Sequence, residues 1–217
     1  MDTLFTILTV LGALAFSISG AMTAVDKGLD LFGVVCLGLT TAYGGGILRD
    51  LFLGRMPPWV FCEPQYILYG LGASLLVFFV ALVLQEKYIR REKRLEGVNN
   101  IFDAAGLGAF IVTGTQMAMD AGYADNTVFT LFIGLLTGIG GGLLRDVFTG
   151  SIPAVFRKRI YAVAALIGSG AYYYLVRGGA SSAVASVVGM LTVFGVRMAA
   201  TYFRWNMPTA LKTDKKE

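Results

Sequence analysis

The stretch Gly44-Gly45-Gly46-Ile47-Leu48-Arg49-Asp50-Leu51-Phe52 recurs as Gly140-Gly141-Gly142-Leu143-Leu144-Arg145-Asp146-Val147-Phe148, an offset of 96 from Gly44 to Gly140. Both copies sit in apolar surroundings. Glycine costs about 1 kcal/mol per residue in a helix interior, and a charge at mid-membrane costs at least ~2.5 kcal/mol, so a chain that repeats both has a use for them. Downstream, Phe52-Leu53-Gly54-Arg55-Met56-Pro57 matches Phe148-Thr149-Gly150-Ser151-Ile152-Pro153. Upstream, the segment from Gly12 to Gly20 matches that from Gly106 to Gly114 at an offset of 94, and Asp26-Lys27-Gly28 matches Asp120-Ala121-Gly122. Two inserted residues then bring the offset to 96, so the repeat covers whole units rather than one motif.

The 217 residues are 56% hydrophobic and 15% charged, with a mean hydropathy of +0.68, which is too apolar for an ordinary soluble domain. Segments 4–25, 31–53, 67–84, 101–119, 128–148, 160–176 and 183–203 each approach the length needed to cross a hydrocarbon core of about 30 Å. The chain reads as an all-α integral membrane protein with seven transmembrane helices. It divides into a first three-helix repeat (1–84), a basic linker (85–100), a second, inverted three-helix repeat (101–176), a seventh helix (177–206) and a tail (207–217). Three spans per unit is an odd number, so successive units enter the membrane from opposite sides and are related by a pseudo-twofold axis in its plane. The segment 4–25 lacks a basic leader and exceeds a signal-peptide core, so it is expected to be retained.

The linker carries Lys87, Arg90, Arg91, Lys93 and Arg94, which places it in the cytoplasm by the positive-inside rule. Alternation then puts Lys27, Arg157, Lys158, Arg159, Arg204, Lys212, Lys215 and Lys216 on the same side, with the N-terminus outside and the C-terminus inside a multi-pass cell membrane protein. The net charge of +4 is explained by these loops, so no nucleic-acid partner is expected; membrane lipids are the surrounding partner. Cys36 and Cys62 give no disulfide framework. The chain has no histidine, which removes Ser-His, Cys-His and His-metal chemistry, and neither glycine motif ends in the Gly-Lys-Ser/Thr of a P-loop. No enzyme activity, cofactor or metal site is indicated.

Two readings of Gly44, Gly45, Gly46 and Gly140, Gly141, Gly142 stand side by side. In one, the triplets break the second and fifth spans and bare carbonyls to a polar path that suits a partly dehydrated cation. In the other, they let helices approach closely. Thr41 and Thr137, with Thr40, Ser17, Ser19, Thr113 and Thr115, offer hydroxyls to such a path or serve in packing. Asp26 and Asp120, at matched span ends, attract cations to a vestibule or cap helices. Arg49 and Asp50, like Arg145 and Asp146, are adjacent on a helix and point about 100° apart, so each is expected to need partners elsewhere. The arginines then gate or fix the break, with snorkelling to the interface as the alternative, and the aspartates restrain neighbouring helix ends. Pro57, Pro58 and Pro153 mark turns. Arg197, inside the unmatched seventh span, needs a carboxylate, carbonyl or water partner, and that span packs at the periphery or in an oligomer.

The doubled Gly-Gly-Gly-x-Leu-Arg-Asp-x-Phe, one copy in each three-span unit, together with a seventh span, resembles the prokaryotic branch of the trimeric intracellular cation (TRIC) channel family, also catalogued as glycine-transporter-like. The resemblance implies a homotrimer with a pore in each subunit, formed mainly by the second and fifth helices, passing K+ and, less selectively, Na+. Its residue-by-residue reach is the two glycine triplets with Arg49, Asp50, Arg145 and Asp146. The basic motif linked to phosphoinositide in animal members has no match here. A secondary transporter of a small solute such as glycine is the rival reading, since inverted repeats with broken helices are also a transporter design; a non-conducting scaffold is a third.

Overall fold

The computed structural model describes residues 3–89, 92–157 and 160–205, and its regular structure there is helical throughout. The long helices are α1 (Thr3–Asp26), α2 (Leu31–Phe52), α4 (Gln65–Ile89), α5 (Glu92–Ala118), α6 (Thr127–Phe148), α8 (Tyr161–Arg177) and α9 (Ser182–Tyr202), with short helices α3 (Trp59–Cys62) and α7 (Ala154–Arg157) between them. The matched sequences start and stop their helices in the same way. Asp30 caps α2 by accepting from Gly33 N at 2.8 Å, and Asn126 caps α6 by accepting from Phe129 N at 3.1 Å. Both helices end in a Schellman turn. Gly54 (φ +68°) and Gly150 (φ +64°) take the left-handed conformation while Arg55 N and Ser151 N donate to Asp50 O and Asp146 O at 2.8 and 2.9 Å.

Four helices form the centre. The helix α1 packs on α2 and α5, and α6 packs on α5 and α2, closing a ring. Phe16 of α1 and Phe110 of α5, matched at the offset of 94, lie with ring centroids 5.4 Å apart. A side chain at Gly12 would meet the Phe110 ring, and one at Gly106 would overlap the Phe16 ring. The helix α4 covers α1 and α2 as α8 covers α5 and α6, while α9 lies on α5 and α8.

The two inserted residues fall between Gly122 and Asn126. Gly28 (φ +71°) leads directly through Leu29 to the cap Asp30. In the second unit the corresponding Gly122 (φ +92°) lies inside a π turn over Met119–Tyr123, and an extra loop follows. That loop is tied down, with Tyr123 O accepting from Thr130 Oγ1 at 2.6 Å and Ala124 O from the Tyr173 hydroxyl at 2.7 Å.

Among the described residues six helices are long and apolar enough to cross a membrane. The expected sixth span of seven is α8, whose 17 residues rise about 25 Å and fall just short of that length. The stretch expected as a linker is largely helical: α4 runs on to Ile89 past a non-helical Gln85, and α5 begins at Glu92. Charged residues there are good helix formers, so leaving the apolar region does not end the helices. The linker's basic side chains, those at 157–159 and the tail from 206 lie outside the described residues. Leu68, Leu76, Phe79 and Val83 of α4 are more than half exposed on the chain, an apolar face of the kind lipid or another membrane helix covers.

Candidate functional site

The glycine triplets do not break their helices. Both α2 and α6 run continuously through them, because the neighbouring helix shields the backbone that the missing side chains would leave bare. Each glycine has a different task, and the tasks repeat. The middle ones, Gly45 and Gly141, carry the α2–α6 seam: a Cβ on Gly45 would overlap the Thr137 carbonyl oxygen, and one on Gly141 the Thr41 carbonyl oxygen. The first ones face the partner's leucines. A Cβ on Gly44 would lie 2.6 Å from Leu144 Cδ1, and one on Gly140 3.3 Å from Leu48 Cδ1 but nearer still, at 3.0 Å, to Gly45 Cα. The third ones lie beside the arginine one turn on, with Cβ positions at Gly46 and Gly142 each 3.7 Å from Nη2 of Arg49 and Arg145, although at Gly142 the Tyr161 hydroxyl is nearer, at 3.2 Å.

Thr41 and Thr137 complete the seam as small residues four before the middle glycines. Both are fully buried, and both donate to the carbonyl four residues back, Leu37 O and Ile133 O, at 2.7 Å. Their hydroxyls press on Gly20 and Gly114, where a Cβ would overlap them. In this conformation they therefore face helix contacts rather than an open path.

Neighbouring Arg and Asp do pair, contrary to the expectation from their 100° separation. Arg49 Nε donates to Asp50 Oδ1 at 2.8 Å, and Arg145 Nε to Asp146 Oδ1 at 2.9 Å. The angle constrains the Cβ directions, whereas an arginine stem is long enough to curl its planar end back over the next residue. The second carboxylate oxygens bind helix starts: Asp50 Oδ2 accepts from Trp59 N of α3 at 2.9 Å, and Asp146 Oδ2 from Ala154 N of α7 at 2.7 Å. The arginines are 5% and 6% exposed, so neither snorkels out.

Beyond this shared frame the halves differ. Arg145 Nη1 also donates to Asp103 Oδ1 at 2.9 Å and to Ser19 Oγ at 2.7 Å. Asp103 is held on its other oxygen by Arg197 Nη2 of α9 at 3.4 Å; Arg197 also donates to Asn100 Oδ1 at 2.8 Å and lies 4.5 Å over the Tyr161 ring. Two arginines and two aspartates thus neutralise one another in a buried site, the condition under which buried charge is tolerable. Around Arg49 there is instead a cavity of about 30 Å³, lined by Thr9, Tyr43, Gly46, Trp59, Phe110 and Thr113 among others. At roughly 10–15 Å³ for each water centre, it has room for about two waters.

Sequence reasoning did not single out Asp103, Tyr161 or the Phe16–Phe110 pair. An aspartate two residues into an apolar span was the available signal for Asp103. Arg197, flagged as needing a partner, has one there. Asp120 accepts from Gln116 Nε2 at 2.6 Å at the exposed end of α5.

The sequence model described as glycine transporter matches residues 6–81 and 100–177, the two repeat units. The TRIC trimeric intracellular cation channel orthologue from Rhodobacter sphaeroides is 35% identical, with a TM-score of 0.84, covering 94% of this chain and 100% of that one. The chain belongs to the prokaryotic TRIC family. A second prokaryotic TRIC channel structure, solved in 0.5 M KCl, has 35% identity and a TM-score of 0.85 over 95% of this chain and 100% of the other. The chain is also similar to the UPF0126 inner membrane protein YadS of Escherichia coli strain K12, 32% identical over 207 residues, 93% of this chain and 94% of that protein. The TRIC fold here is that of a multi-pass membrane protein.

Proposed function

We propose that the protein is a monovalent cation channel, permeable to K+ and less so to Na+, with a pathway in each subunit running through the ring of α1, α2, α5 and α6. Likeness to TRIC cation channels over nearly the whole chain carries this reading. The repeated geometry supports it. The glycine-lined α2–α6 seam, followed on each helix by a buried ion pair, puts polar groups inside an otherwise apolar bundle. Gly44, Gly45, Gly46, Gly140, Gly141, Gly142, Thr41 and Thr137 border the pathway, and conduction requires α2 and α6 to part at the Gly45–Gly141 contact. Arg49 and Arg145 gate it or hold its walls, since a guanidinium free in the path repels cations.

In this reading α8 is the sixth of seven spans, the two repeats are inverted, the N-terminus is outside and the C-terminus cytoplasmic. Three copies associate, each keeping its own pore, in a cell membrane whose lipids cover the rest. The chain performs no catalysis and needs no cofactor. Recording from the purified protein in planar bilayers tests the proposal: discrete K+ openings are expected, whereas saturable glycine uptake without unitary current establishes the transporter reading instead. The Gly45→Leu and Gly141→Leu variants are expected to abolish the current; unchanged K+ flux through both establishes a scaffold.

A further inference from the structure

The two arginines of the doubled motif are held differently, and the repeat shows why. At the offset of 94, Thr9 stands where the second unit has Asp103, and Thr113 where the first has Ser19. Asp103 and Ser19 are the residues that grip Arg145 Nη1 across α5 and α1. Among the described residues their counterparts make no bond to Arg49: Thr9 Oγ1 donates to Phe5 O at 2.7 Å, Thr113 Oγ1 donates to Phe110 O at 3.3 Å, and neither carries a charge. Among the described residues Arg49 bonds only to Asp50, through Nε, and it lines the same cavity as Thr9, Thr113 and Gly46. The matching space beside Arg145 is occupied by Asp103, Arg197 and Tyr161, with Arg197 supplied by α9, a helix outside the repeat.

We propose that Asp103, seated by Arg197, is a positioning residue that latches Arg145 across the second half of the pathway, leaving Arg49 as the arginine that moves to open and close the first half. This rests on the pathway proposed above. A guanidinium with two charged partners and a hydroxyl is released far less often than one with a single adjacent carboxylate. The half containing Arg49 also has room for water to take over its hydrogen bonds as it swings. The second half is then a fixed wall and the first a gate, although the motif is the same in both.

The test transplants the latch. Thr9→Asp places a carboxylate at the position corresponding to Asp103, within the cavity that Arg49 lines. In a Cys36→Ala, Cys62→Ala background, Gly46→Cys reports water access to that cavity through its reaction with a charged methanethiosulfonate. Adding Thr9→Asp is expected to slow this reaction about tenfold, as one new charge-assisted hydrogen bond allows. Thr9→Asn, of the same shape without the charge, is expected to slow it less. In bilayers Thr9→Asp is expected to lower open probability by a similar factor while unitary current is retained, a split that a merely structural role would not produce. A reaction rate and open probability within twofold of the parent overturn the latch, as does an equal effect of Thr9→Asn. If wild-type protein passes no current yet Thr9→Asp slows the cysteine reaction, the channel reading fails and the latch stands. Should Thr9→Asp not fold, Asp103→Asn combined with Gly142→Cys carries the test: reaction at position 142 must speed up about tenfold, and an unchanged rate overturns the proposal.

Discussion

Alanine substitutions along one triplet separate the two energetic effects of glycine. Replacing a helical glycine by alanine contributes up to about 1 kcal/mol through helix propensity, and this gain is the same at Gly44, Gly45 and Gly46. What differs is the neighbour. At Gly46 the new methyl meets only the Arg49 terminal nitrogens at ordinary contact distance, so Gly46→Ala is expected to be neutral or to raise stability by up to ~1 kcal/mol. At Gly44 it meets the tip of Leu144, which a rotamer change relieves, and the two effects roughly cancel. At Gly45 it overlaps the Thr137 carbonyl oxygen, and no side-chain rotation moves a backbone atom. There α2 and α6 must part, and overpacking of this kind costs about 1–3 kcal/mol, so a net loss of up to ~2 kcal/mol remains.

Gly141→Ala meets the Thr41 carbonyl oxygen and is expected to match Gly45→Ala. The double variant is expected to cost less than the sum, because one opening of the seam accommodates both methyls. Gly170→Ala, with nothing near its Cβ position, is the propensity-only reference. Thermal unfolding in detergent, followed by tryptophan fluorescence, reads the order directly. A Gly45→Ala protein as stable as Gly170→Ala would refute the close-packed seam.

Two further outcomes follow from the ion pairs. Asp103→Ala leaves Arg145 with only the Asp146 carboxylate and takes from Arg197 its carboxylate partner, in a site under one-tenth exposed, so a loss of about 3–5 kcal/mol is expected in the same melting assay; a loss below about 1 kcal/mol would mean the arginines find water there. Arg177→Ala removes the pair with Asp125 at 2.7 Å, but the two side chains are 49% and 90% exposed, so no measurable change in melting temperature is expected at physiological salt, and a clear drop would show that the loop carries more than a solvent-screened pair.

The sequence by itself determined the helical membrane class, the two units and their register, because hydropathy, glycine and charge are local properties and a repeat is visible without coordinates. The caps at Asp30 and Asn126 and the Schellman glycines Gly54 and Gly150 fall at matched positions of the two sequences. Arg197's demand for a partner was legible too, since an arginine among apolar residues has few ways to exist. Tertiary structure alone decided what each glycine touches. Three adjacent glycines look alike in a string, yet successive residues on a helix face directions about 100° apart, so one meets a leucine, one a backbone and one its own arginine. The same holds for the difference between the halves. Thr9 and Asp103 are a polar and a charged residue in two apolar segments until the fold sets each beside an arginine 40 or more positions away; charge pairing acts over a few ångströms of space, whatever the distance along the chain.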